Sequence, residues 1–461
     1  MTADPTPPSA RPTPTVPPPP SGATAARAGM GRSVVQQILA LAVPPFLALV
    51  TAPILAHSLG VEGRGELAAG TATLLFLGAV LTFGLQESVT HHVARRPGGE
   101  RAMLLQAGAV IAGLGVLGGI GTWFAAPWLS AGNDELTGVI RLTAAFVTPT
   151  LVLLVPRAIA SGQHRWRLVS LESWVAGLAR ALVIVVLWLS GHLSVPSAAL
   201  TLSAVPVLAG LIYLPLIVRV LRDPPVPGAA PSLSTLLGYG LKIWLGALSG
   251  IILTRVDQVL MVPLSDEMQL GLYAVAVTIG EVPTVISAAV RNVVFAADSA
   301  ETDPALQAGR LQQASRLAMA GSAAAALGLG STMHWWIPWL FGPGFADAWL
   351  AAAILLLATV VGTSGSVAGA GLSARGRPGL RSISMAIGAA CNLTVFLAAV
   401  GPWGVVGAAL STLVGSYVSG TMNIVFLKTR FGISASGFYG LRREDLALLS
   451  RAVRKLVRRG A

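Results

Sequence analysis

Six charged residues fall inside long apolar stretches of this chain: Arg157, Glu172, Arg180, Arg255, Asp257 and Glu281. A charge in a hydrocarbon setting is costly, so each needs a partner, a hydrated cavity or a task. The three arginines together suit an anion. A guanidinium grips phosphate oxygens in a planar fork and keeps its proton. Arg180 and Arg255 are the first candidates for binding an anionic head group, and Arg157 is the third. Arg157 and Glu172 fall near the same ends of consecutive stretches, so a structural ion pair is the competing reading there. Arg255 and Asp257 are two residues apart, about 200° on a helix, and so face different neighbours. Glu281 stands mid-stretch and is either paired with Arg180 or Arg255, or protonated by desolvation. Asp257 and Glu281 are therefore the candidates for coupling or gating. Pro44-Pro45 removes helical hydrogen bonds in mid-stretch and is the candidate hinge.

Other chemistry is not encoded in recognisable form. There is no Walker loop, no H-E-x-x-H, no cysteine cluster and no G-x-S-x-G. The single cysteine, Cys391, has no partner for an intrachain disulfide. His91-His92 is the only histidine cluster, beside Arg95 and Arg96, and lacks metal-ligand spacing. The expectation is no catalytic residue, no metal, no cofactor and no enzyme.

The elements that position these residues follow from composition. Of 461 residues, 54% are hydrophobic and 11% charged, where a soluble domain carries about a quarter charged. The membrane is the solvent, and lipid forces its backbone into helices. About twelve spans of about twenty residues or more result, near 34–57, 67–90, 102–127, 138–160, 168–190, 195–219, 238–262, 269–294, 313–340, 349–373, 381–400 and 403–427. The formal charge of +12 does not point to nucleic acid, because the basic residues sit in short loops. One side collects Arg95, Arg96, Arg101, Arg165, Arg167, Arg219, Arg222, Arg310, Arg375 and Arg377. The other holds Arg64 among Glu62, Glu66, Asp134, Glu135, Asp266, Glu267 and Asp347. That bias predicts a multi-pass protein of the inner or plasma membrane with both termini cytoplasmic.

The chain also repeats itself. Leu59, Glu62, Leu67, Ala69 and Thr73 match Leu264, Glu267, Leu272, Ala274 and Thr278 without gaps, and Pro127-Trp128-Leu129 matches Pro338-Trp339-Leu340. Six spans per half is even, so the repeats run parallel. The expected fold is all-α, with two six-helix bundles. The expected segments are a disordered cytoplasmic tail over 1–30, bundles over 31–221 and 237–428, a proline-rich cytoplasmic linker over 222–236, and a basic tail over 429–461.

Several short motifs carry a resemblance. Leu59-Gly60-Val61-Glu62-Gly63-Arg64-Gly65 resembles the outer loop of Wzx-type polysaccharide export flippases. Phe83-Gly84-Leu85, Arg255-Val256-Asp257-Gln258 with Leu270-Gly271-Leu272-Tyr273-Ala274, Ala374-Arg375-Gly376-Arg377-Pro378 and Gly404-Val405-Val406-Gly407-Ala408-Ala409 are similar to further blocks of that family. Residue 64 departs from the pattern, and so does Ala296-Ala297, where the family has a proline. The resemblance covers roughly 30–430. It implies the multidrug/oligosaccharidyl-lipid/polysaccharide exporter fold, a central cavity and alternating access. It implies that undecaprenyl-diphosphate-linked oligosaccharide moves from the cytoplasmic to the outer leaflet for surface polysaccharide synthesis. The partners implied are that lipid-linked oligosaccharide, membrane lipids, a coupling ion (proton or sodium) and polysaccharide-assembly proteins. Rival readings are a lipid II flippase, for which fourteen spans are expected, and a multidrug exporter, whose cationic ligands fit three arginines poorly. A membrane-embedded polymerase or glycosyltransferase would need longer outer loops with catalytic acids.

Overall fold

The computed structural model describes residues 22–95, 98–224, 230–285, 287–288, 290–291 and 303–445, with side chains from residue 47 onward except at 48. The first helix, α1, runs Gly22–Val80 and breaks at Gly60, where φ is 70° and ψ is −174°. Its start lies inside the stretch expected as a tail. Pro44 and Pro45 lie within this helix, and their side chains are outside the described residues. Helix α2 spans Leu85–Arg95 and is bent by 47° from Leu49–Val80. The bend falls at Phe83 and Gly84, both with positive φ.

The first half continues with α3 (Glu100–Leu129), α4 (Asp134–Ala144), α5 (Val147–Gly162), α6 (Trp166–Leu189), α7 (Val195–Gly210) and α8 (Leu214–Arg222). Asn133 starts α4, its side-chain oxygen accepting the N–H groups of Glu135 and Leu136. Ser194 and Ser197 form a capping box at α7. The second half holds α9 (Leu233–Leu264), α10 (Glu267–Gly280), α11 (Pro304–Gly330), α12 (Met333–Phe341), α13 (Ala348–Ala374) and α14 (Pro378–Phe431). Asp266 and Asp303 cap α10 and α11.

Among the described residues, seven helices are long and apolar enough to cross a membrane, or eight if the bent pair is one span. One of the seven is α14, with 54 residues. At 1.5 Å per residue a straight helix of that length would reach about 80 Å, far beyond a hydrocarbon core of about 30 Å. It folds back at Gly404, where φ is 50° and ψ is −127°. A Cβ on Gly388 would stand 2.7 Å from the Gly415 carbonyl oxygen, so the two arms lie side by side. Five spans expected as single helices are interrupted. The stretch 67–90 bends at Phe83-Gly84, 138–160 breaks between α4 and α5, 195–219 between α7 and α8, 313–340 between α11 and α12, and 269–294 leaves the helix at Glu281. Pro283 explains the last, since its ring and missing N–H break the ladder to Ile279.

The apolar core is one at one end and two at the other. At the end with the acidic loops, Leu55, Leu67 and Leu136 pack in one cluster with Met261, Leu270, Tyr273, Phe341 and Val405. At the basic-loop end, Leu85, Met103, Ile111, Leu151 and Tyr213 form a core of the first half, which Leu236 of α9 joins. A separate core there joins Leu311, Val367, Leu372, Leu427 and Phe438 of the second half.

Candidate functional site

Helices α1 and α2 carry the first half against α9 and α10 of the second. At the acidic-loop end the backbones touch. A Cβ on Gly65 would collide with the Glu267 carbonyl, and one on Gly271 with the Val61 carbonyl. Asn133 donates its side-chain amide to Glu267 Oε1 at 3.1 Å across the same seam. At the basic-loop end Gly240 admits the Phe83 carbonyl 2.6 Å from where its Cβ would be. Phe83 stacks on Trp244 with ring centroids 4.8 Å apart, and Trp244 Nε1 donates to the Val80 carbonyl at 2.9 Å. The Tyr239 hydroxyl lies 3.0 Å from His91 Nδ1, and the two rings stack. His92 Nδ1 lies 2.8 Å from the Ser88 carbonyl. Both histidines are thus engaged in hydrogen bonds.

The charged residues separate into three settings. Arg157 on α5 meets Glu172 on α6 at 3.4 Å and donates to Ser173 Oγ at 3.4 Å. Glu172 is buried. Desolvating a carboxylate is tolerable only with such partners, so this pair ties two helices of the first half. Arg180 is half-buried farther along α6. That helix packs on α1 and α7.

In the second half, Arg255 on α9 meets Glu281, just past the end of α10, at 3.4 Å. This pair is not sealed. The arginine side chain is 33% exposed and the glutamate 57%. Asp257 points the other way, as the two-residue offset requires. It is buried, accepts the Gln258 N–H at 2.8 Å and the Thr412 hydroxyl at 3.3 Å, and accepts a very close bond from the Tyr273 hydroxyl. Asp257 therefore joins α9, α10 and α14 inside one half. Of the two pairings left open for Glu281, the structure makes the one with Arg255. Arg180 belongs to the other half of the chain.

Sequence reasoning missed Tyr273 and Thr412. Tyr273 sits in an apolar run, and its signal was a hydroxyl sixteen residues from a buried acid. Asn133 was also missed. It reads as a helix cap, and only the fold turns its amide toward Glu267. Among the described residues no cluster of three His, Cys, Asp or Glu side chains could hold a metal ion.

The family model described as polysaccharide biosynthesis protein matches residues 32–295, more than half of the chain. The chain belongs to that family. No curated protein matches it. Among solved structures it is similar to a multidrug resistance MATE family transporter of the MOP superfamily in an inward-facing conformation. The TM-score is 0.65 at 18% identity, over 86% of this chain and 98% of that one. It is also similar to the lipid II flippase MurJ in an inward closed conformation, with a TM-score of 0.69 at 12% identity, over 88% and 89% of the two chains. A MOP superfamily transporter from Pyrococcus furiosus matches with a TM-score of 0.57 at 15% identity, over 88% and 95%. At these identities the likeness concerns the fold. Family and fold together give an integral membrane protein of the polysaccharide biosynthesis family.

Proposed function

We propose that this member of the polysaccharide biosynthesis family is a flippase for lipid-linked oligosaccharide. It takes an undecaprenyl-diphosphate-linked glycan from the cytoplasmic to the outer leaflet of the inner or plasma membrane. The acidic-loop end faces outward and the basic-loop end faces the cytoplasm, as loop charge favours. The halves, 31–221 and 237–428, rock about the seam of α1, α2, α9 and α10. The linker 222–236 and both termini lie in the cytoplasm. The observation that carries the reading is the uneven core: one apolar cluster spans both halves at the outer end, whereas at the cytoplasmic end there are two clusters and the halves meet through the close contact of α2 with α9. A smaller shared core at the cytoplasmic end favours opening there for loading.

Arg255 is the first contact for the diphosphate, because its ion pair stays partly exposed. An incoming diphosphate competes with Glu281 for the guanidinium. The glutamate is then freed to take a proton or sodium ion, which couples loading to ion movement. Arg180 contributes from the first half. Arg157, already bound to Glu172, contributes charge more than contact. Asp257 supports the gate by holding α9, α10 and α14 together. The polyprenyl tail stays in lipid.

The test is deletion and complementation. Loss of the chain should abolish surface polysaccharide and strand the carrier-linked intermediate in the inner leaflet. Arg255→Gln and Arg180→Gln should each lower export about tenfold or more at normal protein level, as loss of a charge-assisted contact predicts. The double change Arg255→Gln/Glu281→Gln removes the unpaired glutamate and should not restore export. Wild-type export by Arg255→Gln rejects its role. Trapped lipid II with normal surface glycan rejects the cargo.

A further inference from the structure

A cavity of about 490 Å³ opens at the basic-loop end of the first half, apart from the seam between the halves. Its lining includes Arg101, Arg165, Arg219, Glu100, Asp223 and Gln163. These come from three places distant in sequence: the start of α3, the turn from α5 into α6, and the end of α8.

Helix stability does not explain two of the arginines. Arg165 is itself the N-cap of α6, without a side-chain cap bond, and Arg101 lies in the first turn of α3 behind the uncapped Gly99. Cations at helix N-termini oppose the macrodipole, and free N–H groups there attract anions. Arg219 has the opposite placement, in the last turn of α8, where it favours the helix. Among the described residues no carboxylate stands within 4.0 Å of the Arg101 or Arg165 guanidinium. The two carboxylates of the lining are bonded to other groups of the wall or only loosely paired. Glu100 accepts the Gly98 N–H at 2.7 Å and the Gln163 amide at 3.4 Å, and Asp223 is 4.0 Å from Arg219 on the same helix.

The wall of the hollow also holds an unmet acceptor. Gln163 Oε1 is buried and has no hydrogen-bond partner. A buried acceptor left unpaired costs about 1–3 kcal/mol. The bias of basic residues toward one side of the membrane accounts for arginines at this end. It does not account for their convergence on one hollow beside an unmet acceptor.

We propose that this cavity is a binding site for a phosphate ester, occupied in the membrane by the head group of an anionic phospholipid such as phosphatidylglycerol. The phosphate lies between Arg101 and Arg165 at the two helix starts. Arg219 closes the rim. The site is separate from the transport path and holds whatever the cargo is. It anchors the first half at the cytoplasmic lipid surface while the second half moves.

The experiment uses the full chain in nanodiscs of equal parts phosphatidylglycerol and phosphatidylcholine, with retained lipid measured after purification. Wild type should retain phosphatidylglycerol over phosphatidylcholine. Arg101→Gln/Arg165→Gln should reduce that preference about thirtyfold, the size expected for two basic residues at a lipid surface. Arg377→Gln, in an exposed basic loop of the second half, should leave it unchanged. A thermal melt in phosphatidylcholine alone checks that the variants fold, and Arg219→Gln is the milder substitute if the double variant does not. A second arm adds glycerol phosphate to protein in neutral detergent. Stabilisation there that is lost in the double variant, with no lipid preference in the first arm, assigns the site to a soluble phosphate ester and overturns the lipid source. Equal loss in Arg377→Gln, or no effect in either arm, overturns the site.

Discussion

Asp257 and Glu281 carry the same functional group on adjoining segments, and their surroundings give them different capacities. Asp257 is enclosed, with Tyr273, Thr412 and its neighbour's N–H as partners. Freeing it would leave a buried charge unmet, which is expensive. Glu281 meets one arginine and remains more than half exposed, so it can exchange partners at low cost. A third carboxylate, Asp445, lies outside the spans. Arg316 grips it with Nε at 2.6 Å and Nη2 at 3.1 Å, and Gln313 and the Arg442 N–H add bonds. The Arg316 hydrogen bonds are the main reason its carboxyl is held at about 2, below the usual carboxylate range. A folded value below the unfolded one stabilises at pH above about 4 and loses that contribution as pH falls toward 2. Segment 434–445 should therefore stay docked on α11 at neutral pH and loosen on strong acidification. Asp445→Asn should loosen it at pH 7, costing about 3 kcal/mol or more. Hydrogen exchange over 434–445 reads this. Protection unchanged in the variant would mean that the ion pair does not hold the segment.

At the scale of elements, helix contact is set by the absence of side chains. Gly84 and Gly240 let α2 and α9 approach until backbone meets backbone, and Phe83 stacks on Trp244 beside them. Any larger residue at 240 must push the helices apart, because a Cβ there meets the Phe83 carbonyl. Gly240→Leu should open the basic-loop end, whereas Tyr239→Phe removes one hydrogen bond to His91 and costs only about 1 kcal/mol. The readout is thiol labelling of a cysteine placed at residue 88, buried in α2, in a Cys391→Ser background. Labelling should rise several-fold with Gly240→Leu and little with Tyr239→Phe. Equal rates in both would show that the close approach does not keep this end shut.

For the whole molecule, the arrangement of cores makes the two ends unequal. One apolar cluster joins the halves where the acidic loops lie, and two serve them where the basic loops lie. If the halves rock, bridging either end should stop export. Cysteine pairs at His91 and Tyr239, and at Asn133 and Glu267, sit at the two ends. A short bifunctional thiol linker on either pair should lower export more than tenfold, and a reductant-cleavable version should restore it. Export that continues through a linked Asn133–Glu267 pair would exclude opening at that end.

The sequence by itself determined the solvent and the backbone. Apolar runs in lipid must satisfy their own hydrogen bonds, so helices were legible from 34 onward, and loop charge supplied their alternation. The motifs about Gly60, Asp257 and Gly404 pointed to the family. Only tertiary structure decided partners, because a pairing depends on distance across the fold. Glu281 had two arginines open to it along the chain, and packing of α9 on α10 selected Arg255. Arg316 and Asp445, 129 residues apart, carry no sign of pairing along the chain and meet only when segment 434–445 folds over α11. The Tyr273 hydroxyl and the hollow around Arg101 and Arg165 likewise exist only when distant helices meet. Local patterns carry burial and helix formation, whereas the geometry of a site is a property of contacts that no spacing along the chain records.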